Sequence, residues 1–91
     1  MEVLKVSAKT GTKRLSKSVA VAVRKVAATG GGQVVLQAVG ATAVHCAAKA
    51  IAAARGLLAP EGIDLKAVPA FCKVEGRDGG TITGFRFILS W

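Results

Sequence analysis

Four cations, Lys9, Lys13, Arg14 and Lys17, fall within nine consecutive residues with no acid among them. Such side chains neither make nor break bonds. Their chemistry is neutralisation of anions, and their long stems can follow a phosphate backbone. Nine of the thirteen lysines and arginines lie in the first sixty positions against Glu2 alone, while the remaining residues hold four cations and four acids. The whole net charge of +8 therefore sits in one part of the chain. A segment so charged repels itself unless something anionic neutralises it, and for a small basic domain nucleic acid is the commonest such partner. A solvated loop that keeps an alanine-rich chain soluble explains the same charge, so charge alone leaves both readings open. Arg77 is a second candidate, because a projecting β-ribbon can enter a groove; its neighbour Asp78 offsets part of its charge.

Other chemistries find little support. His45 is the sole histidine and stands next to Cys46 on an expected helix. Adjacent helical positions point about 100° apart, so the two do not face each other as a nucleophile and base would. His45 and Lys49 are four apart and share a face, which suits a partner subunit better than an anion. Glu2, Glu61, Asp64, Glu75 and Asp78 show no spacing that suggests general acid–base work or a metal site. Cys46 and Cys72 are far apart, read as buried thiols of a reduced compartment, and form no metal motif. No enzyme, cofactor or metal is expected. Four aromatics, among them Phe85, Phe87 and Trp91, read as core or interface, which argues against base stacking on single strands. Backbone contact with DNA or RNA, with little sequence preference, suits what is present.

The cations need elements to position them. Glu2–Ser7 reads as a strand and residues 8–15 as a basic loop. Ser16 is the expected N-cap of a first helix ending near Thr29, with Leu15, Val19, Val23 and Val26 as its inner stripe and Lys17, Arg24 and Lys25 on its other side. Gly30-Gly31-Gly32 stops it. Val34-Val35-Leu36 opens a short strand, apolar on both faces and so central, which Gly40 ends. Gly40-Ala41-Thr42 runs from strand into helix and could present free N–H groups to a phosphate, or simply form an N-terminal turn. The second helix is read as Ala41–Arg55, with Gly56 as its C′ residue and Pro60 barring continuation. Residues 63–75 are extended, with Pro69 demanding an edge or a bulge. Residues 76–80 form a hairpin loop, and Thr81–Trp91 is the last strand.

The order β-α-β-α-β-β fits a two-layer α/β sandwich, helices on one face of a four-stranded mixed sheet, with parallel pairing through right-handed crossovers in the first half. Residues 1–91 are expected to form one domain with one modest core. The composition is 52% apolar but only 4% aromatic, so that core is built from small side chains, and the surplus apolar surface invites self-association. The most apolar stretch, residues 34–58, is interrupted by Gln37, His45, Lys49 and Arg55, so no membrane span is expected and the cytoplasm is the default location.

The opening MEVLKVSAK, QAVGA at 37–41, AKAIAAARG at 48–56, LAPEGIDL at 58–65 and PAF at 69–71 resemble the stage V sporulation protein S family over nearly the whole chain, in order. The resemblance implies a small bacterial regulator of sporulation or division timing with an Alba-like fold. Alba proteins, similar in topology, dimerise and bind nucleic acid through the loop after their first strand, the start of their second helix and their last hairpin. By that resemblance the matching regions are residues 9–17, 40–42 and 77–80, although Ala41 and Thr42 supply no basic side chain. The expectation is a nucleic-acid-binding homodimer or higher homo-oligomer. The rival is a homo-oligomeric protein-interaction module, assembled through the Ala-rich second helix, whose basic loop is merely solvated.

Overall fold

A computed structural model describes residues 2–76 and 78–91. The elements are β1 (Glu2–Val6), α1 (Thr12–Ala28), β2 (Val34–Ala38), α2 (Ala41–Leu58), a 3-10 turn (Ala59–Glu61), β3 (Lys66–Glu75) and β4 (Thr81–Ser90). They build a four-stranded mixed sheet of order β1-β2-β4-β3. β1 and β2 are parallel, and β4 is antiparallel to both β2 and β3. As expected, the doubly apolar β2 is central: Val34, Val35 and Leu36 are all buried. Pro69 lies on the edge strand β3, opposite Phe87, one of the two placements expected of a residue without an N–H.

Both helices lie on one face of the sheet. Leu15, Val19 and Val23 of α1 and Ala47, Ala50, Ala54 and Leu58 of α2 pack against Val6, Val34, Leu36, Ala38 and Leu89. The alanines let α1 and α2 approach closely, which is how a core with few large side chains closes. The helices pack over β1 and β2. On the same side, beyond them, Phe71 stands directly opposite Phe85, and Phe85 stacks on Phe87. The ring centroids are 5.3 and 6.4 Å apart, and Phe71 is 77% exposed.

Three boundaries differ from the sequence expectation. α1 begins at Thr12, with Gly11 as N-cap. Ser16 is buried inside the helix, and its hydroxyl donates to the Lys13 carbonyl at 2.8 Å. The cause is Leu15: for it to share the buried stripe with Val19 and Val23, the first turn must already be formed before it. Lys13, Arg14 and Lys17 are therefore helical, and only Lys9 lies in the loop. α2 runs through Gly56 to Leu58, because fully buried Leu58 is gained only if the helix continues another turn. Reversal falls to Gly62, whose φ of +78° favours glycine. The amides of Gly62 and Ile63 bond back to Ala59 and Leu58, so β3 starts only at Lys66.

Candidate functional site

The parallel pairing of β1 and β2 decides where the cations go. Each strand feeds a helix at its C-terminal end, so α1 and α2 both begin at the same end of the sheet. β4 pairs Phe85 with Ala38, so residues 81–84 and the β3–β4 hairpin extend past that same end. The three regions that the resemblance singles out converge there.

The chain from Ser7 to Gly11 is a turn held by its own side chains. Thr10 N–H donates to the Ser7 carbonyl at 3.1 Å, Ser7 N–H to Thr10 Oγ1 at 3.2 Å, and Lys9 N–H to Ser7 Oγ at 3.3 Å. Cys46, buried on α2, locks this turn to the second helix. Its thiol donates to the Thr10 carbonyl at 2.8 Å, and Thr12 Oγ1 donates to Cys46 Sγ at 3.8 Å. Lys9 thus sits on a fixed corner.

Lys13, Arg14 and Lys17 are all exposed, while Leu15 and Ser16 between them turn inward. Spacings of three and four residues gather the three cations on one face of the first two turns. α1 contains no acid at all, and the first turn of α2 contains none. Neither helix has a side-chain cap: Gly11 and Gly40 occupy the cap positions, Gly40 at φ +91°. First-turn N–H groups and the positive ends of two helix dipoles therefore lie at the same end as the cations. None of Lys9, Lys13, Arg14 and Lys17 takes part in an ion pair among the described residues.

Acid pairing is found at the opposite end. Arg24 holds Glu61 through a two-pronged contact whose shortest arm is 2.6 Å. That hydrogen bond keeps the Glu61 carboxyl below its usual range and raises Arg24. Asp64 is likewise lowered, first by its bond to Lys66 at 3.2 Å and then by Arg55 at 3.4 Å. Arg55 also donates to the Leu65 carbonyl.

The remaining candidates fare unevenly. Arg77 lies outside the described residues. In the same hairpin, Asp78 Oδ1 accepts the Gly80 N–H at 3.1 Å, so this acid stabilises the turn. His45 is exposed and Cys46 buried, so the pair diverges as helical geometry requires. Among the described residues no three histidines, cysteines or carboxylates cluster as metal ligands. Among the described residues, no helix is long and apolar enough to cross a membrane. Sequence reasoning missed the Cys46–Thr10–Thr12 lock, since nothing in the spacing of residues thirty-odd positions apart signals it.

Residues 2–91 match the family model of stage V sporulation protein S. Among solved structures, the fold is similar to Alba from Thermoplasma volcanium, with a TM-score of 0.67 and 17% sequence identity over 99% of this chain and 100% of that one. At that identity the likeness is one of fold: β-α-β-α-β-β, four mixed strands and two helices.

Proposed function

We propose that this chain, which belongs to the stage V sporulation protein S family, is a non-enzymatic nucleic-acid-binding regulator that works as a homodimer or higher homo-oligomer in the cytoplasm. Lys9, Lys13, Arg14 and Lys17 neutralise phosphates, with DNA or RNA as ligand and little sequence preference. Arg77, the second basic candidate of the sequence, is assigned to the same ligand as a groove contact.

The observation that carries this reading is the start of α1. Helix N-termini favour acids, yet this one places Lys13 and Arg14 in its first turn and Lys17 in its second, with no acid anywhere along the helix. Each cation there opposes the dipole and its neighbours. A polyanion removes both penalties at once, and a merely solvated surface gives no reason to gather them there. Self-association is supported by the Phe71–Phe85–Phe87 row, in which exposed Phe71 and half-buried Phe85 and Phe87 form an aromatic strip that a second copy would cover.

The test is purification followed by titration. The protein should carry excess 260 nm absorbance that nuclease removes, and the stripped protein should bind labelled duplex DNA or RNA at low salt. A stripped protein that self-associates but binds neither nucleic acid at any ionic strength overturns the proposal in favour of a protein-interaction module.

A further inference from the structure

The sheet has a second face that no helix covers. By strand alternation it carries Val3 and Lys5 of β1, Val35 and Gln37 of β2, Val68, Ala70 and Cys72 of β3, and Ile88, Arg86 and Ile82 of β4. Cross-strand register arranges them in rows. Val3, Val35, Ile88 and Val68 form one apolar row across all four strands. The next row, one side-chain repeat along, is Lys5, Gln37, Arg86 and Ala70.

Val3 is 47% exposed and Val68 57%, so the ends of the apolar row are open to water. Lys5 and Arg86 are exposed and enter no ion pair among the described residues. Lys66, at the rim, is already paired with Asp64. Glu75 borders the hairpin end, where it lines a hollow of about 310 Å³ with Lys5, Gln37, Val39, Val74 and Ile82. With strands roughly 4.8 Å apart, Lys5 and Arg86 stand about 10 Å from each other across Gln37.

We infer that this face docks a protein partner through an acidic amphipathic segment, one with an apolar stripe bordered by carboxylates. The apolar stripe covers exposed Val3 and Val68 and half-buried Ile88, above a Val35 already buried between them, and the carboxylates meet Lys5 and Arg86. The charges decide against the other occupants. Two copies stacked face to face would bring four unpaired cations into one dry layer, which is repulsive. Nucleic acid would gain two phosphate contacts at most and leave Val3 and Val68 against water. The chain's phenylalanines lie on the opposite side of the sheet, so no phenyl ring is available here for stacking on bases. This inference is independent of the nucleic-acid reading and uses none of its residues.

The probe is a synthetic amphipathic helix with a leucine stripe and bordering glutamates, titrated into isotope-labelled protein. Saturable amide shifts are expected at Val3, Lys5, Gln37, Arg86 and Val68. The double variant Lys5→Gln/Arg86→Gln should weaken binding about tenfold or more, as loss of charge-assisted contacts requires. Lys13→Gln/Arg14→Gln should leave peptide binding unchanged. The inference fails if no saturable binding occurs, or if a peptide with lysines in place of glutamates binds equally well. It also fails if these amides respond instead to duplex DNA, or to protein concentration alone.

Discussion

Reversing charge at the start of α1 should move stability and binding in opposite directions. In Lys13→Glu/Arg14→Glu, two first-turn cations become acids that complement the dipole and the uncapped N–H groups. Each favourable first-turn charge contributes about 0.3–1 kcal/mol at low ionic strength, so the pair should stabilise the free protein by roughly 0.6–2 kcal/mol. For a domain of this size that raises Tm by about 4–8 °C per kcal/mol. Binding should collapse over the same substitution. With Lys9, Lys13, Arg14 and Lys17 each releasing one counterion, the salt slope per protomer on duplex DNA is about −3.6, or a loss of roughly 150-fold between 50 and 200 mM salt. Removing two of the four contacts should halve that slope to about −1.8, and the new acids should repel what remains. The assay pairs thermal melts with anisotropy titrations on duplex DNA at the two salt concentrations. A lower Tm would refute the dipole argument. An unchanged salt slope would refute the assignment of these side chains to phosphates.

Three further outcomes follow from the same geometry. Phe71→Glu should shift sedimentation toward monomer and lower Tm only by what the lost association contributed, because the ring is mostly exposed in one copy; an unchanged oligomer would exclude the aromatic strip as the interface. Cys46→Ala removes the thiol that donates to Thr10, so hydrogen exchange should quicken at Lys9, Thr10 and Thr12, and nucleic-acid affinity should fall with the salt slope preserved; unaltered exchange would deny the lock. Glu61 and Asp64 have carboxyls held low by Arg24 and Lys66, so their contribution to stability is complete above the ordinary carboxylate range and is lost as pH falls through their lowered folded values. Glu61→Gln should flatten the acid limb of a Tm-against-pH curve, and a limb identical to the parent's would show that the Arg24 pair adds nothing.

Element order, the centrality of β2, the edge position of Pro69 and the exposed side of α1 were legible because each rests on local pattern: β-branched runs, a missing N–H, a helical period. The helix ends were not. Ser16 has the chemistry of a cap and Gly56 that of a stop, but buried Leu15 and Leu58 overrode both by drawing another turn into the core. Packing against a distant strand outweighed the local preference at each end. The candidate site was legible as a set of charges and illegible as a shape. Charge counting finds Lys9, Lys13, Arg14 and Lys17, while their arrangement depends on the parallel register of β1 with β2 and on a thiol from another helix.

The strand that delivers the basic corner is also the least supported in the sheet. β1 is five residues long and has a neighbour on one side only. Its opening is a low-energy excursion compared with loss of β2 or β4. Whatever clamps the turn after it must also clasp the amino-terminal segment, so occupancy by an anion and protection of that segment from proteolysis rise and fall together.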